Sequence, residues 1–164
     1  NLIHRRGLAQ FIDDAAKAGV DGLLVLDLPP EEAEQYDSVM RDRGLNAIYL
    51  MAPTTPLERM ALIAKRGSGF IYYISREGVT GMRDKVASNI AEMTAHIRKH
   101  TSLPIAVGFG ISNEAQAREV ARCADAIVVG SAVVNQIAKL GADPALASTV
   151  GGFVKRLADA VREV

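Results

Sequence analysis

The chain has 164 residues, 49% apolar and 23% charged, the make-up of a globular domain long enough to bury a core. Nineteen basic and nineteen acidic side chains leave a formal net charge of zero, which excludes the broad charged footprint of a nucleic-acid or anionic-membrane binder. There is no 18-residue apolar run and no signal-peptide pattern. The lone cysteine, Cys123, has no internal disulfide partner, which points to a reducing, cytoplasmic setting. A start at Asn1 rather than Met reads as a processed, trimmed or incompletely represented product.

Taken in order, Asn1-Leu2-Ile3 reads as the tail of an earlier element. Leu8, Phe11, Ile12 and Ala15 recur at helical spacing, and Gly19 ends that helix. Gly22–Leu26 is a short continuous apolar run, as expected of a strand covered on both faces, and Asp27-Leu28-Pro29-Pro30 ends it. Pro30, Glu31 and Glu32 suit the start of a helix running through Val39 and Met40 to Gly44.

Ala47–Met51 is the next strand. Thr55-Pro56-Leu57-Glu58 has the form of a capping box, and Leu57, Met60, Ala61 and Ala64 make an inward stripe before Gly67. Phe70–Ile74 is a third strand. A polar stretch, Ser75–Lys85, follows it and leads to a helix marked by Ile90, Met93 and Ile97. The fourth strand, Pro104–Gly108, runs into Phe109-Gly110-Ile111-Ser112, with Ser112 placed to cap a helix. A fifth, Ala126–Val129, ends in Gly130-Ser131. The last helix, from Asp143-Pro144, carries Leu146, Val150, Phe153, Val154, Leu157 and Val161 inward, with a bend expected at Gly151-Gly152.

The strand centres Val25, Ile48, Ile71, Ile105 and Val128 are 23 residues apart, except for one gap of 34. A strand and its return helix fill each repeat, and right-handed crossovers make the sheet parallel. The eleven extra residues fall in Ser75–Lys85, after a strand's C-terminal end, where a long loop is a lid candidate. The two glycine turns, Phe109-Gly110 and Gly130-Ser131, come last. Backbone N–H groups and two helix N-termini there would cradle a phosphate, as the loops after the last two strands of a (β/α)8 barrel do. A doubly wound sheet would instead put its phosphate loop after the first strand, where Asp27-Leu28-Pro29-Pro30 has no glycine. The expected fold is thus a single incomplete domain over residues 1–164, a partial (β/α)8 barrel with its last five βα units. His4, His96 and His100 lack partners at metal-ligand spacing and read as surface residues, so no metal is expected.

Four separated segments then resemble the tryptophan synthase alpha subunit: Gly19–Val25 with Asp27-Leu28-Pro29, Ser75–Gly81, Gly108–Ser112 and Val129-Gly130-Ser131. The family's first ~100 residues, about three βα units of a ~250-residue barrel, have no counterpart. The resemblance implies a lyase that cleaves indole-3-glycerol phosphate to indole and glyceraldehyde 3-phosphate by a retro-aldol reaction. It implies a phosphate cradle of Gly81, Phe109, Gly110, Gly130 and Ser131, and an indole pocket touched by Leu26, Leu50 and Tyr72. Tyr72 and the lid residue Thr80 would support catalysis, while the family's catalytic glutamate and aspartate have no match; Asp27, Glu77 and Asp84 do not inherit those roles. Asn1, Asp27 and Pro29 would face a beta subunit, which holds pyridoxal phosphate in an alpha2beta2 assembly; this chain itself would need no cofactor and would be inactive alone. Two other readings stay open: a non-catalytic partial-barrel binding or assembly module, and another phosphate-handling barrel isomerase.

Overall fold

The computed structural model describes residues 2–75, 83–108 and 110–164, with side chains at those positions except 83–88. The elements in order are α1 (Leu2–Arg6), α2 (Leu8–Lys17), β1 (Gly22–Leu24), a 3₁₀ turn at Pro30–Glu32, α3 (Glu34–Asp42), β2 (Asn46–Met51), α4 (Leu57–Arg66), β3 (Ile71–Ile74), α5 (Arg83–Arg98), β4 (Ile105–Gly108), α6 (Glu114–Ala121), β5 (Ala126–Val128), α7 (Ser131–Leu140) and α8 (Leu146–Arg162). The strands lie in chain order, β1-β2-β3-β4-β5, and are parallel, the expected repeat of strand and return helix. The chain divides into two compact units, Asn1–Tyr72 with Ile97–Pro104, and Tyr73–His96 with Ile105–Val164.

In the first unit, β1 and β2 pair in register Leu23↔Ala47 and Leu24↔Ile48. Gly22 is required by proximity: a Cβ there would stand 2.8 Å from the Asn46 carbonyl oxygen. Ser68 joins β2 to the chain entering β3, donating from its backbone to the Ala47 carbonyl at 2.9 Å while its hydroxyl accepts from the Ala47 amide at 2.8 Å. Strand β2 alternates, with Ala47, Tyr49 and Met51 buried under α3 and α4 and Ile48 and Leu50 half-buried on the other face. The inward stripe of α4 is Met60, Ile63 and Ala64; Leu57 is 57% exposed and Ala61 is exposed, so the expected stripe was rotated by part of a turn.

Two local expectations fail here for the same reason, competition for a side-chain oxygen or a backbone carbonyl. Thr55 caps nothing in α4; its hydroxyl accepts from the Ala52 amide at 2.9 Å, closing the turn that leaves β2. The helix expected from Pro30 to Gly44 is broken at Ala33, because the turn closes with a backbone bond from Ala33 to Pro30 before α3 begins. Leu2–Arg6, read from the sequence only as the tail of an earlier element, is a short helix.

In the second unit, β4 is buried along its whole length, and Val107↔Ile127 and Gly108↔Val128 set its register with β5. Helix α6 packs on β5 and α8, and α7 packs on α8. Ala117, Val120, Phe153, Leu157 and Ala160 form that core. Val154, expected inward, is 43% exposed, and Ala160 takes the buried place. Helix α8 starts at Leu146, since the Asp143 carboxylate accepts from the Ala145 amide and holds a separate turn, and it runs unbroken through Gly151-Gly152. Among the described residues no helix is long and apolar enough to cross a membrane.

Candidate functional site

Both candidate regions lie where βα units end. In the first unit a cavity of about 340 Å³ opens beyond the C-terminal ends of β1 and β2. Its walls are the chain from Leu24 to Pro30, the residues Ile48, Tyr49 and Leu50 of β2, Thr55, and Arg59 and Ile63 of α4. Leu26, Leu50, Asp27 and Pro29, assigned from the sequence to two different roles, therefore line one cavity. Leu26 is 74% exposed at its edge. The Arg59 guanidinium lies 2.8 Å from Glu31, linking α4 to the 3₁₀ turn beside the cavity. Tyr72 is half-buried on β3, while its neighbour Tyr73 is 2% exposed, so Tyr73 is the packing tyrosine of the pair.

The buried polar cluster next to this cavity was missed at the sequence level. Asp37 on α3 is 7% exposed. Its carboxylate accepts from the Tyr49 hydroxyl at 2.6 Å and from Arg66 at 2.8 Å. Burial first, and then the Asp37 charge, push the Tyr36 hydroxyl up to about 12. The Tyr49 hydroxyl is also held well above its ordinary value, by burial and by its hydrogen bond to Asp37. A signal existed: Ala33, Tyr36, Asp37 and Met40 share one helical face, which placed a carboxylate on the apolar stripe.

In the second unit the parallel register puts the exit of β4 beside the exit of β5, so Gly110 and Gly130-Ser131 each follow a paired strand end by the same few residues. Gly110 has φ +60°, a left-handed conformation that glycine adopts without strain. Among the described residues, apart from chain neighbours, no atom lies within 4 Å of a Cβ placed at Gly110 or Gly130. Ser131 is exposed at the first position of α7, whose N-terminus has no side-chain cap. Its leading N–H groups have no intrahelical acceptor and point out of the helix end.

The other helix end differs from expectation. Asn113, not Ser112, caps α6, accepting from the Gln116 amide at 3.0 Å. Gln116 in turn accepts from the Ser112 amide at 2.8 Å and from its hydroxyl at 3.0 Å. The Glu114 carboxylate, held below its ordinary value by its own backbone N–H and by Arg156, adds a negative charge there. The α6 terminus is thus served by its own side chains, whereas among the described residues none caps α7. Asn1, Thr80, Gly81, Phe109 and the carboxylate Glu77 lie outside the described residues, as does the side chain of Asp84 and most of the Ser75–Lys85 stretch. Among the described residues no three His, Cys, Asp or Glu side chains cluster as a metal site.

The family model of the tryptophan synthase alpha chain matches residues 1–161. The alpha chain of Opitutus terrae is 55% identical over 137 residues, covering 84% of this chain and 52% of that relative. The crystal structure of the alpha chain from Legionella pneumophila superposes with a TM-score of 0.86 at 33% identity, over 99% of this chain and 60% of that one. The tryptophan synthase complex from Pyrococcus furiosus gives 0.83 at 30% identity, over 97% of this chain and 62% of that one. The chain therefore spans little more than half the length of the relatives it matches.

Proposed function

The chain belongs to the tryptophan synthase alpha chain family, and from that premise we propose that it is the substrate-holding part of a lyase that cleaves indole-3-glycerol phosphate. The observation that carries the reading is the β4–β5 register, which sets Gly110 beside the uncapped start of α7. Amides there, with the Ser131 hydroxyl, suit a phosphate dianion. In this reading Gly81, Phe109, Gly110, Gly130 and Ser131 hold the phosphate. The indole ring lies toward Leu26, Leu50 and Tyr72, and Thr80 belongs to a closing loop.

Retro-aldol cleavage needs an acid that protonates the ring carbon and a base that takes the glycerol hydroxyl proton. The family's two carboxylates have no match in this sequence, so the chain binds substrate without turning it over. Asn1, Asp27 and Pro29 face a beta subunit, and the Pyrococcus furiosus neighbour, a tryptophan synthase complex, supports such a partnership. Pyridoxal phosphate belongs to that partner, and the setting is cytoplasmic.

The test is Ser131→Asp. A carboxylate at the first position of α7 suits the helix dipole but repels a phosphate. Calorimetry with glycerol 3-phosphate should show saturable binding to the wild-type chain and none to the variant, at unchanged melting temperature. Equal binding by both proteins would overturn the assignment.

A further inference from the structure

The Asp37 cluster ties together the elements that form the walls of the first unit's cavity. Tyr49 lines that cavity, and its hydroxyl donates to Asp37 Oδ1 at 2.6 Å. Arg66 donates to Asp37 Oδ2 at 2.8 Å, one turn along α4 from Ile63, which also lines the cavity. Tyr36, adjacent to Asp37, donates to the Leu23 carbonyl at 3.1 Å, next to the cavity residue Leu24. One turn of α3 thus reaches β1, β2 and α4.

We propose that Asp37 is a positioning residue, which fixes the cavity walls at one separation through Tyr49 and Arg66. The proposal rests on reading the cavity as the place where a flat aromatic ring enters. Ile48, Tyr49 and Leu50 all line the cavity, so anchoring the buried Tyr49 side chain fixes the β2 segment that carries Ile48 and Leu50 on its other face. A stabilising role alone explains the cluster poorly. Buried ion pairs are often no more stable than apolar replacements of similar volume, and among the described residues the buried Arg66 Nε has no hydrogen-bond partner. What such a cluster supplies that apolar packing does not is direction: a carboxylate accepting two donors permits one arrangement of the three elements.

The test separates direction from stability by replacing the cluster with apolar groups, Asp37→Leu/Tyr49→Phe/Arg66→Met. The variant is expected to melt no lower than the wild type. Its Ile48, Leu50 and Ile63 methyl signals should double or broaden where the wild type gives one set, and its affinity for free indole should fall about tenfold, equivalent to about 1.4 kcal/mol. A single set of methyl signals at wild-type positions with unchanged indole affinity would overturn the proposal. If the wild-type chain does not bind indole, the ring-pocket reading fails, and the methyl spectra still decide whether the cluster orients the walls. Should the triple variant fail to fold, Tyr49→Phe alone, which removes one hydroxyl, carries the same comparison.

Discussion

At Asp37 a single carboxylate accepts from a phenol and a guanidinium that are otherwise short of partners. Asp37→Ala leaves the buried Tyr49 hydroxyl without its acceptor, so a loss of about 1–3 kcal/mol is expected in urea unfolding. A loss under 1 kcal/mol would show that water replaces the carboxylate. Tyr36 and Tyr49 both act at the alkaline end, and Tyr36 is the simpler to read. Its hydroxyl is raised to about 12 in the folded chain from an ordinary 10, so the folded state keeps a proton that the unfolded state gives up. Its contribution is full below pH 10 and is lost as pH rises toward 12, and Tyr36→Phe should flatten that limb in melting measurements. Glu114 acts at the acid end. Its depressed value means that its contribution is present above the ordinary carboxylate range and lost as pH falls through the folded value; Glu114→Gln should lose less melting temperature on acidification than the wild type. Gly110→Ala places a Cβ in open space but in a left-handed conformation, at about 1–2 kcal/mol.

At the scale of elements, what could be read from the sequence was set by periodicity, and what could not was set by competition between neighbours. Apolar runs located all five strands, because a strand followed by a return helix repeats at a nearly fixed length. Helix starts were harder. Thr55 and Ser112 both have the chemistry of a cap, yet Thr55 closes the turn behind it and Ser112 yields the capping position to Asn113. Composition gives each of these residues two possible acceptors or donors, and only the path of the chain selects one. Leu26 and Leu50 line the cavity, but neither Arg59 on its wall nor the buried Asp37 behind Tyr49 was singled out, since a charged residue on a helix reads as solvent-facing. Helix α8 offers a direct check. It runs straight through Gly151-Gly152, with no atom within 4 Å of a Cβ at either position. Gly151→Ala should therefore stabilise the chain by about 0.5–1 kcal/mol. Destabilisation would mean that the helix needs a hinge there.

For the whole molecule, family membership establishes the fold, and the chemistry rests on the proposed reading. The fold elements are those of the alpha chain, and the groups proposed to hold a phosphate and a ring lie at strand C-terminal ends. In the proposed reading, the groups that would move protons have no match among these residues. Binding and turnover, joined in a complete enzyme, should therefore be separable in this chain. One measurement tests that separation: the amide NMR spectrum of the isotopically labelled chain, recorded over time with indole-3-glycerol phosphate present. The account predicts saturable shifts at Gly110, Gly130 and Ser131 while the substrate's own ring signals stay unchanged. Ring signals of free indole growing in proportion to protein, or a spectrum in which those three amides do not move, would contradict it.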